Sequence, residues 1–386
     1  MPSAKSATPE EFALRLSKAA FLARYWQREH LLLRGALPGF SSPLSPDELA
    51  GLALEETVES RIVELRRTGL HVKHGPFEAG DFQVENPFTL LVHAVDYCIE
   101  AVAGLRKLVD FIPAWRIDDV MVSYGTDGAS VGPHFDHYDV FLLQGHGSKR
   151  WRIGQQCDAS TALLEHPDLC LLRDFQCEHD YVLEPGDMLY VPPGTAHWGV
   201  AVGESITFSI GFRAPRHKDM LARWTDQLLE ALDDEAFYAD AGREVALRAG
   251  EISTTDRSRA REQLHALIDG LADDRWFGEL VSEPRHDCST DDEDILEAQA
   301  LLDSGEVRLC LNPAAKLAWQ SEADAVIAFA NGQSLALHAH ARVQTALERL
   351  CAQWYLEGEL LNALRSDAQG RRLIDFLLTT GCIHVE

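Results

Sequence analysis

The chain has 386 residues, of which 46% are hydrophobic and 25% charged, the composition of a folded protein too long for one simple core. Lysine and arginine total 35 against 61 aspartates and glutamates, a formal net charge of −26 that repels nucleic-acid phosphates and favours basic partners, although solubility alone also accounts for it. No apolar run reaches the roughly 18–20 residues of a membrane span, and "MPSAKSATPEEF" lacks a signal-peptide core, so a cytoplasmic protein is expected, with no membrane partner. The eight cysteines are scattered without a CxxC pair, which argues against a disulfide framework or a Cys-rich zinc site.

Residues 1–8 read as disordered and 9–35 as helix, followed by a short strand in "HLLLRGAL". In "SPDELAGLALEE", Ser45 and Glu48 have capping-box spacing. From about Trp115 to Arg213 the texture becomes β-rich: "RIDDVMVSYG", "DVFLLQG", "KRWRIG", "DYVLEPGDMLYVPP", "GVAVG" and "SITFSIGFRAP". Short strands punctuated by Gly and Pro predict a small barrel or double-sheet jelly roll. Gly145 and Gly147 predict a hairpin turn, with Lys149 opening the returning strand. After Pro215 the apolar spacing becomes helical to about residue 282, and "SEPRHDCSTDDED" reads as a linker. Residues 291–386 mix helices with short strands, "VRLCLN", "AVIAFA" and "CIHVE", an α+β module. Three segments result: 1–215, 216–290 and 291–386.

Two motifs carry chemistry. In "EPGDMLYVPPGTAHWG", Gly186, Pro192, Gly194 and His197 match the cupin pattern G-x5-P-x-G-x2-H, and the proline–glycine turn makes a stiff mount for His197. In "GPHFDHYD", residues 132–139, an extended backbone places His134, Asp136 and Tyr138 on one face and His137 and Asp139 on the other. His134, Asp136 and His197 then form a facial triad with open positions, the pattern of non-haem Fe(II) oxygenases. By the same alternation Asp119, Met121 and Ser123 share a face, as do Thr207 and Ser209. A cation entering a barrel near iron needs an anion to meet it, and a dicarboxylate cosubstrate supplies one. Parity separates Lys149 from Arg150 without saying which points in.

"GPHFDHYDVFLLQGHGSKRWRIG", "EPGDMLYVPPGTAHWG" and "SIGFRAP", with "YWQREHLLLRGALPGF" and "HGPF" upstream, resemble the bacterial JmjC-type ribosomal oxygenases over nearly the whole chain. The resemblance implies a mixed α/β multi-domain fold: a double-stranded β-helix, a helical dimerisation region and a winged-helix-like domain. It implies dependence on Fe(II), 2-oxoglutarate and dioxygen, and hydroxylation of an arginine β-carbon in a large-subunit ribosomal protein, L sixteen. Carried over by position, His134, Asp136 and His197 are the iron ligands and Lys149 binds the cosubstrate's distal carboxylate, where relatives can have arginine. The substrate arginine is expected to meet Asp119, Met121, Tyr138 and Ser209, since a guanidinium favours a carboxylate and a tyrosine face. Rival readings are a histidyl hydroxylase, a demethylase, or a metal-binding cupin scaffold without catalysis. The C-terminal module lacks a basic recognition helix, so protein contact is expected there rather than DNA.

Overall fold

The computed structural model describes residues 17–386 except 234, 246–247, 271–272, 286–289, 306 and 339–340. The expected disorder at 1–8, the first part of the helix expected from residue 9 and the centre of the linker lie outside the described residues. Two compact units, Met1–Ala214 and Pro215–Glu386, divide the chain.

The first unit opens with α1 (Lys18–Arg24), capped by Ser17, whose Oγ accepts from Ala20 N at 3.2 Å. The helix ends about eleven residues before the end that the sequence suggests. It stops because Gln27 turns into the left-handed region at φ 58° and donates its N–H to the Tyr190 hydroxyl at 2.7 Å. Phe21, fully buried, anchors α1 against Phe141 and Tyr190, with ring centroids 5.5 and 5.0 Å away. Strand β1 (Leu31–Leu33) follows, then α2 (Pro46–Leu52), which carries the expected capping box: Ser45 Oγ accepts from Glu48 N and Glu48 Oε2 from Ser45 N.

The remaining strands are β2 (Ser60–Arg66), β3 (Gly69–His74), β4 (Phe88–Val92), β5 (Ile117–Gly125), β6 (Val140–Gln156), β7 (Cys177–Leu183), β8 (Met188–Val191) and β9 (Thr195–Phe212). Short helices α3 (Val95–Cys98) and α4 (Glu100–Ala103) precede β5. The sheet runs β1-β8-β6-β9-β5-β4-β2-β3, with β7 on the outer half of β6. This is the curved cupin-type sheet that the JmjC resemblance implies.

Two expected boundaries are absent. "DVFLLQG" and "KRWRIG" are one strand, β6, and "GVAVG" and "SITFSIGF" are one strand, β9. The two pair along their lengths, with register shifts between Gln144 and Ser148 that bend β6 without reversing it. Gly145 and Gly147 therefore form no hairpin turn. They let two backbones approach closely: a Cβ on Gly145 would lie 2.4 Å from the Phe208 ring, and one on Gly147 (φ 58°) would lie 1.8 Å from Glu204 O. A glycine pair in a strand has this second meaning, a bulge or close approach, which local sequence does not separate from a turn.

Alternation along β9 sorts its residues. Ile206, Phe208, Ile210 and Phe212 enter a core with Val120, Val122, Phe141, Leu143 and Phe21. A second core holds Val140, Leu142, Trp151, Ile153, Leu189 and Val191. Thr207 and Ser209 face away from the first core, towards the barrel interior, as strand parity requires.

The second unit contains α5 (His217–Ala231), α6 (Thr254–Gly270), α7 (Arg275–Val281) and α8 (Asp292–Ser304), then β10 (Leu309–Leu311), β11 (Leu317–Ser321), β12 (Ala325–Ala330) and β13 (Gln333–His338). It closes with α9 (Ala341–Gln353), β14 (Tyr355–Leu356), α10 (Gly358–Ser366), α11 (Ala368–Thr379) and β15 (Ile383–Val385). Two three-stranded sheets, β14-β10-β15 and β11-β12-β13, share one apolar core with α9, α10 and α11. Among the described residues no helix is long and apolar enough to cross a membrane.

Gly147→Ala is expected to lower the denaturant midpoint. The left-handed backbone alone costs about 1–2 kcal/mol for a residue with a Cβ, and the clash with Glu204 O adds to it. An unchanged midpoint would contradict the close β6–β9 approach.

Candidate functional site

The site is built on backbone before side chains. His134 N donates to His197 O at 3.0 Å, and His197 N donates to His134 O at 2.8 Å. Gly194 N, in the turn after Pro192 and Pro193, donates to Asp136 O at 2.8 Å. Gly194 sits at φ 74°, and a Cβ there would lie 2.3 Å from Gln156 Nε2, so only glycine fits the turn that carries His197. Residues 132–139 are not a continuous strand. A single bridge at His134 is followed by a bend at His137 and Tyr138. The alternation nevertheless holds where it matters: His134 and Asp136 turn inward, while His137 is exposed and lies beside Phe135. Asp139 is structural, accepting from Tyr190 Oη at 2.6 Å and Gln27 Nε2 at 3.0 Å, with Arg116 at 3.4 Å.

His134, Asp136 and His197 present ligand atoms all within 4.8 Å of one another. His197 Nε2 lies 3.6 Å from Asp136 Oδ2, and the two imidazole centroids are 4.3 Å apart. Donors each about 2.0–2.2 Å from one first-row ion can be separated by that distance. Each histidine is also oriented from behind. His134 Nδ1 meets Gly132 O and His197 Nδ1 meets Thr195 O, both at 2.9 Å. A carbonyl accepts only if Nδ1 carries the proton, which leaves Nε2 as the metal-binding lone pair. Burial first, and the neighbouring His134 second, pull His197 down to about 4, so its ring stays neutral. Two imidazoles and a carboxylate on one side of an ion suit iron.

Lys149 and Arg150 part company. Arg150 reaches outward to Asp180, with Nε and Nη2 donating at 2.8 and 2.6 Å. Lys149 points inward, 3.4 Å from Ser123 Oγ and over the Trp151 ring at 4.9 Å. Burial pulls its ammonium down to about 8, and no carboxylate among the described residues pairs with it. An unpaired buried cation is costly and calls for an anionic ligand. The Trp151 indole N–H is likewise buried and has no partner among the described residues. Trp151 was not singled out from the sequence, yet its i+2 parity with Lys149 places it on the same face.

Of the four expected substrate residues, Asp119 and Met121 lie on β5 and Ser209 on β9, while Tyr138 lies in the bend before β6. Met121 and Ser209 are directly opposed on β5 and β9, as are Ser123 and Thr207. Thr207 donates to Gln144 Oε1 at 3.1 Å and is a satisfied core hydroxyl. Asp119 is buried despite its charge; Oδ2 accepts from Ala94 N at 3.0 Å and lies 3.6 Å from His93 Nδ1. Tyr138 keeps 43% of its surface exposed, while burial of its hydroxyl end, then Asp136 and Asp119, hold the phenol well above its usual range. His93 and Ala94, the latter in the left-handed region at φ 51°, support Asp119 from a distant stretch of chain that carries no motif.

The His197 environment predicts the pH response of the metal-free protein. Its folded pKa lies below the usual 6.5, so between about 4 and 6.5 the unfolded chain binds the extra proton. Stability is full above that window and falls as pH drops through it, by on the order of 3 kcal/mol. Denaturant midpoints across this range are expected to slope less in His197→Gln; an identical slope would contradict the buried neutral ring.

Comparison with known proteins bears on the same residues. Residues 105–220 match a JmjC domain, and residues 273–383 match a ROXA-like winged helix. The chain is 38% identical over 278 residues to the ribosomal protein uL16 3-hydroxylase of Escherichia coli, covering 72% of this chain and 74% of that protein. The X-ray structure of E. coli ycfD superimposes with a TM-score of 0.82 at 33% identity, covering 96% of this chain and 98% of the other. A structure of the same ribosomal oxygenase in complex with cobalt and 2-oxoglutarate gives a TM-score of 0.78 at the same identity and coverage. With its curved JmjC sheet and its C-terminal winged helix, this chain belongs to the bacterial JmjC-type ribosomal oxygenases.

Proposed function

We propose that this protein hydroxylates the β-carbon of an arginine in a large-subunit ribosomal protein, the counterpart of uL16, using Fe(II), 2-oxoglutarate and dioxygen. The observation that carries the reading is the pairing of a three-donor site with a buried cation that has no counter-ion among the described residues. His134, Asp136 and His197 hold the iron. Lys149, with Ser123 beside it, meets the distal carboxylate of 2-oxoglutarate. Bound together, iron and 2-oxoglutarate supply oxidative decarboxylation, one oxygen atom of dioxygen entering succinate and the other the substrate C–H bond. The protein's share is to bind, orient and exclude water.

Asp119 receives the substrate guanidinium, Met121 and Tyr138 flank it, and Ser209 offers a hydroxyl. Asp119 is held rigid by Ala94 N, so its position selects which C–H bond faces the iron. A buried carboxylate at this place favours a cationic side chain over a neutral imidazole, which separates arginine from histidine as substrate. The net charge of −26 favours encounter with a basic ribosomal protein and opposes encounter with ribosomal RNA, and the site of action is the cytoplasm.

Residues 216–290 serve as a homodimerisation region, and 291–386 as a winged-helix-like unit for protein contact. Along α6, Leu264, Leu267 and Ile268 fall at i, i+3 and i+4, one stripe left open to solvent in the single chain. Leu221 and Leu229 on α5 are open as well. Light scattering is expected to give twice the chain mass of 42.9 kDa, and Leu264→Glu with Leu229→Glu to shift it to the monomer. A wild-type monomer would refute the assignment.

Mass spectrometry of the cognate uL16-type protein after incubation with enzyme, Fe(II), 2-oxoglutarate and ascorbate is expected to show one added oxygen on an arginine, absent with His134→Ala. Lys149→Met is expected to abolish turnover or raise the KM for 2-oxoglutarate by at least about 10-fold, whereas Arg150→Ala changes it little. Oxygen on a histidine would overturn the role of Asp119. Untouched 2-oxoglutarate would leave a metal-binding scaffold.

A further inference from the structure

A second group of metal-binding side chains lies in the C-terminal unit, remote in sequence from the JmjC residues. Cys310 on β10 and His384 on β15 are directly opposed in an antiparallel pair, so their side chains share a face of the sheet. Glu386 follows His384 by two residues and shares that face. It is pinned there by two backbone hydrogen bonds with Arg308, both at 2.9 Å. One ligand atom from each of Cys310, His384 and Glu386 lies within 4.8 Å of the other two, and His384 Nε2 is 3.4 Å from Glu386 Oε1.

The neighbouring cation is engaged elsewhere. Arg308 is drawn towards β14, where its guanidinium stacks over Tyr355 at 4.5 Å and donates to Glu357 Oε2 at 2.7 Å. The His384 and Glu386 side chains are at least half exposed, so an ion and its water can enter. Cys310 is partly buried, and without an ion burial and its hydrogen bond to Glu386 push the thiol up to about 11, so binding must displace that proton.

We propose that Cys310, His384 and Glu386 form a second metal site, selective for a borderline-soft divalent ion such as Zn(II). Sulfur, imidazole nitrogen and carboxylate oxygen are the three donor types that zinc accepts together, with a fourth tetrahedral position left to water. The sulfur sets this site apart from the His134–Asp136–His197 centre, whose nitrogen and oxygen donors suit iron. Hard ions such as Mg(II) gain nothing from the thiolate and are excluded. Loading the site would tie β15 to β10 and so brace the C-terminal end of the fold.

The test uses the full-length protein stripped of metal by a chelator and titrated with Co(II), then Zn(II), with Mg(II) as control. Two equivalents of Co(II) are expected to bind. One gives a thiolate-to-cobalt charge-transfer band that Zn(II) removes and Mg(II) does not. Cys310→Ser is expected to lose the band and one of the two equivalents, while His134→Ala keeps the band and loses the other equivalent. His384→Gln, at an exposed position whose replacement leaves folding intact, is expected to weaken the band-forming site by at least about 10-fold. A wild-type protein without the band, or a band and stoichiometry unchanged in Cys310→Ser, would overturn the proposal and leave the three side chains as a hydrogen-bonded cluster.

Discussion

The pair of backbone hydrogen bonds between His134 and His197 is the constraint on which the site depends. It joins segments more than sixty residues apart and fixes both imidazoles before any ion arrives. The Gly194 N–H bond to Asp136 O extends the same tie to the carboxylate. Side-chain freedom is then removed by the two Nδ1–carbonyl contacts. A site assembled in this way loses little entropy on metal binding, because the chain ordered its donors during folding.

Charge follows a similar logic inside the barrel. Lys149 has no carboxylate partner among the described residues, as the cosubstrate role proposed for it requires, whereas Arg150 and Asp180 satisfy each other at the surface. Asp139, the other carboxylate of the first motif, accepts from Tyr190 and Gln27 beside the Arg116 cation and ties the turn after α1 to the sheet instead. Two aspartates three positions apart thus divide between ligand and support. What separates them is which neighbours the tertiary fold brings to each.

Long strands make this geometry possible. Because β6 and β9 bend without breaking, one strand carries apolar core residues on both sides of the bend and the inward Lys149 just past it. The bend relies on Gly145 and Gly147, whose missing side chains let β6 and β9 cross closely. A hairpin at those glycines would have ended the strand before Lys149.

The sequence by itself determined the triad, because a strand alternates its faces and a proline–glycine turn is rigid, and both are local properties. His134 and Asp136 at i and i+2, and His197 after "PPGT", were legible for that reason, as was the Ser45–Glu48 capping box. Helix α1 was overdrawn because its end depends on Gln27 reaching Tyr190, a partner 163 residues away. Only the tertiary structure decided between Lys149 and Arg150, turned a predicted hairpin into a bend, and brought His93 and Ala94 to Asp119. Each of these is set by what packs across the sheet, and no local pattern encodes a neighbour that arrives from a distant part of the chain.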